Sequence, residues 1–191
     1  VGASADGKTY DGDQVAVVTL SNNSKFSSYV ITPYSYTSAL FADKNVGVDK
    51  AVTVSGIAML GADKDRFSLS STTATTTATI SAKGLTVTGA TDNKVYDGTA
   101  TGNLNIDAAS LVGVVGSEAV TLDTTASTVG DYGSKDVGTY TVTVSGLTLE
   151  GAASGNYTLT QPTITDATIT AKELTVTGAT DNKVYDGTAT G

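Results

Sequence analysis

The chain has 191 residues, enough for two domains, and it carries a formal net charge of −8 with no cysteine and no histidine. The acidic balance argues against nucleic acid and against an anionic membrane surface as partners. The missing Cys and His exclude disulfides, thiolate nucleophiles, imidazole bases and most transition-metal sites. Because no apolar run is long enough to span a bilayer, we also expect no membrane insertion.

Short alternating segments, separated by clusters of Gly, Asn, Asp and Ser, predict β-strands along the whole chain. In Tyr140–Ser145, for example, Tyr140, Val142 and Val144 point to one side and the intervening Thr and Ser residues to the other. The only helical signal is a short turn within residues 107–115. In chain order, strands are predicted at residues 15–20, 29–32, 52–54, 67–69, 77–80, 85–88, 104–106, 120–122, 140–145, 157–159 and 163–170.

An internal repeat organises these strands. The 18 residues LTVTGATDNKVYDGTATG at 85–102 recur letter for letter at 174–191. We therefore divide the chain into module A (residues 1–83, which lacks its first strand residues), module B (residues 84–172) and the partial start of module C (residues 173–191). Seven or so strands per module with tight turns predict an all-β fold of elongated, Ig-like β-sandwiches. A β-grasp-like module with one short helix is the alternative.

The modules are joined by short connections, with no Pro-rich or long Gly/Ser linker, which predicts an end-to-end rod. Residues 80–85 and 169–174 each lead from the last strand of one module almost directly into the first strand of the next. For the start of module C, we expect residues 174–178 to fray or to complete a strand in a neighbouring molecule.

A Tyr-Asp-Gly triplet is present in each module and predicts a tight turn with an aromatic anchor. Gly adopts positive φ without strain, Asp bonds to nearby backbone amides, and Tyr packs its ring while its hydroxyl finds a local partner. A role between modules or in ligand contact stays open as an alternative. The triplet residues are Tyr10, Asp11, Gly12, Tyr96, Asp97, Gly98, Tyr185, Asp186 and Gly187.

The acidic residues near this triplet raise the question of calcium. Asp92, Asn93 and Asp97 lie close in sequence, and Asp6 and Asp11 mirror two of them. Calcium needs six to eight oxygens from a converging loop. The sequence thus predicts no metal and no cofactor, with calcium as the alternative. Ser and Thr are abundant but no base is available to activate them, so we predict that the chain is not an enzyme.

The motifs K-x-Y-D-G, K-[ND]-V-G, V-S-G, [RN]-[FY]-x-L and A-T-I-x-A-K-x-L-T-V follow one another in fixed order in the repeats. This order resembles the YDG repeat domain of large bacterial surface adhesins, including proteins similar to filamentous haemagglutinin that are exported by two-partner secretion. The resemblance covers essentially the whole chain. It implies a place in the stalk of a secreted or cell-surface adhesin that serves cell adhesion or biofilm formation, with an extracellular location.

Two functions follow from these observations. We predict a monomeric structural spacer whose partners are neighbouring repeats of the same chain and which projects a distant binding region. The alternative is a multivalent module that binds a polysaccharide or a host surface protein weakly, with affinity gained through copy number. Tyr34 and Tyr36 are the candidate ligand contacts, because module B has no obvious match for them.

Overall fold

The computed structural model describes residues 1–22, 29–178 and 182–189, and in this part of the chain the fold is all-β. Two single-turn 3₁₀ helices, Lys64–Arg66 and Ser154–Asn156, are the only helical elements there. Within the described residues, none of the helices is long and apolar enough to cross a membrane. The all-β prediction is therefore confirmed. The alternative, a β-grasp-like module with one short helix, requires an α-helix, and the described residues contain none.

The strands follow the repeat. Module A contains β1 (Gly2–Ala5), β2 (Lys8–Thr9), β3 (Val18–Ser21), β4 (Tyr34–Ser35), β5 (Ser38–Phe41), β6 (Gly47–Ser55), β7 (Ala58–Met59) and β8 (Thr73–Ser81). From the module boundary onward follow β9 (Lys83–Thr88), β10 (Thr91–Val95), β11 (Leu104–Asn105), β12 (Ser110–Val112), β13 (Thr121–Asp123), β14 (Thr128–Val129), β15 (Gly138–Ser145), β16 (Thr148–Glu150), β17 (Tyr157–Leu159) and β18 (Thr163–Thr170).

Equivalent strands pair in the same way in the two modules. The main sheet has the order β2-β8-β6-β5 in module A and β11-β10-β18-β15-β14 in module B. In both sheets the strand before the Tyr-Asp-Gly triplet runs parallel to the last strand of its module, as β2 with β8 and β10 with β18. Smaller sheets, β1-β3 and β4-β7 in module A and β12-β9-β17 and β13-β16 in module B, complete the fold.

Alternation on the central strands produces the cores. Val52 and Val54 on β6 and Val142 and Val144 on β15 are at most 2% exposed, while the Thr residues beside them face solvent. These side chains belong to two clusters of buried residues, one per module. The cluster of module A also contains Leu85 and Tyr157 from module B. Its core therefore continues across the module boundary.

Three predicted elements differ from the structure. Residues 29–32 form no strand, because Val30 bonds through its amide to the carboxylate of Asp63 and through its carbonyl to the Asp63 amide. Residues 67–69 form no strand either, although the equivalent β17 pairs with residues 83–85. The short helical turn predicted within residues 107–115 is present only as a turn at residues 107 and 108. Residues 110–112 form strand β12 instead, which pairs with β9.

Candidate functional site at the module junction

The Tyr-Asp-Gly triplet of module B ends in a tight turn. Gly98 has a φ of +83°. The Asp97 Oδ1 atom accepts hydrogen bonds from the amide and the hydroxyl of Thr99, each at 2.9 Å. Lys94 donates to the same carboxylate at 2.9 Å and to the carbonyl oxygens of Thr99 and Thr101. The Thr99 amide, followed by Lys94, lowers the pKa of Asp97 to about 2.

Module A builds the same turn with one more acid. Gly12 has a φ of +88°, and Asp11 accepts from the Asp13 amide at 3.1 Å. The Lys8 ammonium lies 2.8 Å from Asp11 and 2.6 Å from Asp13. The lysine two positions before each triplet Tyr therefore neutralises the acids of the turn. Sequence reasoning missed this role, although the lysine recurs in all three copies as Lys8, Lys94 and Lys183.

The third triplet folds the same local turn without a packed module around it. Gly187 has a φ of +80°, and Asp186 accepts from the Thr188 amide at 2.9 Å. Its tyrosine, Tyr185, is 92% exposed. Residues 173–178, at the start of module C, form no strand and are exposed, and residues 179–181, 190 and 191 of the predicted module lie outside the described residues. The turn is thus a local property of the motif, and the burial of the tyrosine is not.

The tyrosine of module A is buried by module B. Tyr10 is 1% exposed, and its ring meets the ring of Tyr157 edge to face at a centroid distance of 5.4 Å. Its hydroxyl donates to Glu118 at 2.6 Å. Burial, with Glu118 as a smaller contribution, raises the pKa of Tyr10. Of the roles considered for the triplet, the structure places Tyr10 at a contact between modules.

Glu118 of module B is the centre of this contact. One carboxylate oxygen accepts from Tyr10 and from Lys44, and the other accepts from Tyr157 at 2.7 Å. The Tyr157 hydroxyl in turn accepts from the Val115 amide at 3.0 Å. Lys44 first, then the two tyrosine hydroxyls, lower the pKa of Glu118 from 4.5 to about 2. A carboxylate held ionised in this way does not act as a proton donor near neutral pH.

Asn156 adds a second set of hydrogen bonds across the junction. It is 7% exposed, its side-chain oxygen accepts from the Val46 amide at 3.0 Å, and its amide nitrogen donates to the Asn45 side chain at 3.2 Å. The Lys-Asn-Val-Gly motif of module A therefore contacts the Asn-Tyr motif of module B. The sequence showed both motifs as fixed points of the repeat, but it did not show that they meet. We call this set of residues the junction cluster: Tyr10, Lys44, Asn45, Val46, Glu118, Asn156 and Tyr157.

Two of the candidate calcium ligands, Asp92 and Asn93, accept hydrogen bonds from protein donors. Asp92 is fully buried and accepts from the Tyr132 hydroxyl and the Asn103 amide, both at 2.7 Å. Asn93 accepts from the amide and hydroxyl of Thr168. Within the described ranges, no group of three or more acidic residues is placed to hold a metal ion. Asp92 and Asn93 thus connect β10 to the rest of module B.

The candidate ligand contacts Tyr34 and Tyr36 lie in one surface pocket of module A. Thr19, Thr32 and Pro33 line the same pocket. Tyr36 is 38% exposed, whereas Tyr34 is half-buried against the core. None of the residues that line the pocket belongs to the junction cluster.

A family comparison matches the YDG domain twice, over residues 1–79 and 81–165. The chain therefore belongs to the YDG domain family. Neither the curated proteins nor the solved structures gave a match. The assignment to a family of adhesin repeats is wrong, because the matched family is the YDG domain, which is known as an SRA/YDG DNA-binding domain and brings no adhesin context.

Proposed function

We propose that this chain is a structural spacer in which consecutive YDG modules are held in a fixed arrangement. The observation that carries the proposal is Glu118, which accepts hydrogen bonds from Tyr10 and Lys44 of module A while it also binds Tyr157 of its own module. Hydrogen bonds to a charged group are stronger than neutral ones, so one side chain couples the two modules.

The connection between the modules supports the same role. Ala82 alone separates β8 from β9, and β9 pairs with β12 and β17 of module B. Leu85, on β9, is fully buried in the core that begins in module A. A flexible linker would have exposed polar residues at this point. A stiff junction with a shared core is what a rod of elongated β-sandwich modules requires.

Distance measurements between the modules test the proposal. The chain has no cysteine, so paired spin labels at Val17→Cys and Val95→Cys are unique, and both positions are more than half exposed. We expect a single narrow distance distribution, and a broader one when Glu118→Ala is added. A broad distribution in the otherwise unmodified chain would contradict the spacer, because it would show that the modules move independently.

The rival function is a binding module, which the pocket of Tyr34 and Tyr36 favours. Module B has Leu122 in the place of Tyr34 by strand pairing, so the aromatic pair is not repeated along the array. Polysaccharide arrays and duplex DNA should show no saturable binding, and DNA is further disfavoured by the net charge of −8. Saturable binding that Tyr36→Ala abolishes would support the binding module instead.

A further inference from the structure

Module B ends in a face that corresponds to the part of module A covered at the junction. A groove at this end is lined by Tyr96, Asp136, Val137, Ala171 and Lys172 of module B and by Leu174 of module C. We call it the open face. Val137 is 56% exposed and Leu174 is 84% exposed. At the junction the matching positions are Val46, which packs on the core, and Leu85, which is fully buried.

The groups that hold Glu118 at the junction recur on the open face. Tyr96 stands where module A has Tyr10, and Lys135 stands where it has Lys44. A phenol and an ammonium are therefore available for a carboxylate. Tyr96 is only half-buried and lines the groove.

The groups that hold Asn156 also recur. The backbone amide of Val137 corresponds to that of Val46, the donor to the Asn156 side-chain oxygen. Asp136 replaces Asn45, the acceptor from the Asn156 amide nitrogen. A carboxylate accepts such a bond more strongly than an amide oxygen, so this one difference preserves the contact. The loop that carries Asp136 is held by the Tyr140 hydroxyl, which donates to the Asp136 carbonyl at 2.7 Å.

We propose that the open face is a docking site for a further YDG module that carries the equivalents of Glu118, Asn156 and Tyr157. The start of module C already runs along the groove through Leu174. This inference deepens the proposed spacer role, since it describes how the same junction is repeated along the chain. The docking proposal rests on the proposed spacer function for its biological role. Docking at the open face is nevertheless measured separately from the stiffness of the junction between modules A and B.

Module A of a second molecule does not fit the open face. The Asp63 amide donates to the Val30 carbonyl as the Ala153 amide does to the Ala119 carbonyl, which aligns Tyr29 with Glu118. In the [RN]-[FY]-x-L motif, Arg66 and Phe67 align with Asn156 and Tyr157. Module A thus lacks the carboxylate that would accept from Tyr96 and Lys135 and the side-chain oxygen that would accept from the Val137 amide. The occupant is therefore a module of B type, and this chain does not associate with itself through the open face.

Extending the chain tests the proposal. A second copy of residues 84–172 is appended after residue 172, and hydrogen exchange is followed for the peptides that contain Tyr96 and Val137. We expect exchange to slow by about tenfold or more relative to the original chain, as about 1.4 kcal/mol of added local stability gives. Unchanged exchange at these peptides, with the appended copy folded by circular dichroism, would overturn the proposal.

Two controls define the occupant. Glu118→Ala in the appended copy alone should restore fast exchange at Tyr96 and Val137 and leave the first junction unchanged. The combination Glu118→Tyr, Asn156→Arg and Tyr157→Phe, which gives the appended copy the residues of module A, should do the same. If this variant still protects the open face, or if the original chain dimerises in sedimentation and thereby protects it, the proposed occupant is wrong. The spin-label distance between Val17→Cys and Val95→Cys reports on the spacer independently of either result.

Discussion

The same motif residues stand at the covered face of module A and at the open face of module B, and only their surroundings differ. Tyr10 is 1% exposed beneath Glu118 and Tyr157, whereas Tyr96 is half-buried and lines a groove. The turn after each tyrosine is the same, with Gly φ values of +88° and +83°. The comparison shows that the motif specifies a turn, and that a neighbouring module converts the tyrosine before it into a core residue.

Truncating the two tyrosines should reveal this difference most strongly. Tyr10→Ala removes a buried ring and its hydrogen bond to Glu118, so we expect a loss of about 3–5 kcal/mol in the free energy of unfolding. Tyr96→Ala should cost roughly 1–2 kcal/mol, because the ring is only partly buried. Urea denaturation of the two variants checks this. Equal losses would show that module B does not stabilise module A through Tyr10.

Removing the central carboxylate should have the next largest effect. Glu118→Ala leaves the hydroxyls of Tyr10 and Tyr157 without their acceptor, and we expect a loss of about 2–3 kcal/mol. Glu150→Ala is the matched control, since Glu150 is exposed on β16 and its loss should change stability by less than about 0.5 kcal/mol. Thermal and urea unfolding of both variants give the comparison. If Glu118→Ala and Glu150→Ala both lose less than about 0.5 kcal/mol in the free energy of unfolding, Glu118 does not stabilise the junction.

The two triplet glycines offer a finer comparison. Both have positive φ, so Ala at either position should cost about 1–2 kcal/mol in backbone strain. A Cβ at Gly98 would meet nothing within 4 Å, whereas one at Gly12 would lie 2.9 Å from a Val115 methyl across the junction. We therefore expect Gly12→Ala to exceed Gly98→Ala by about 1 kcal/mol in urea unfolding. Identical losses would mean that Val115 moves aside without cost.

Lowering the pH should weaken the covered face gradually. The pKa of Glu118 is depressed to about 2 at the junction, first by Lys44 and then by Tyr10 of module A, and it rises toward 4.5 when the modules separate. A depressed pKa contributes stability that is present above about pH 4.5 and is lost as the pH falls toward 2. We expect the spin-label distance distribution to broaden across this window. Glu118→Gln, which does not titrate, should remove that pH dependence, and a dependence that persists would assign it to other acids.

Some of the fold and part of the site could be predicted from local pattern. The alternation at Tyr140–Ser145 predicted the central strand β15, which runs from Gly138 to Ser145. Residues 67–69 show the limit, because their pattern matches that of β17 but they form no strand. Glu118 could not be recognised as a site residue from the repeat, since module A has no glutamate and holds Tyr29 at the equivalent position. Its importance arises from partners up to 108 residues away in the chain.

The sequence by itself determined the repeat, the all-β fold and the turn at each triplet, because periodicity, β-branched residues and glycine act over a few neighbouring positions. The same turn at Gly187, beside a fully solvated Tyr185, shows that this information is local. Only the tertiary structure decided that the Lys-Asn-Val-Gly and Asn-Tyr motifs meet around Glu118. The burial and the charge state of such a site depend on which modules pack together, and that is set by contacts distant in sequence.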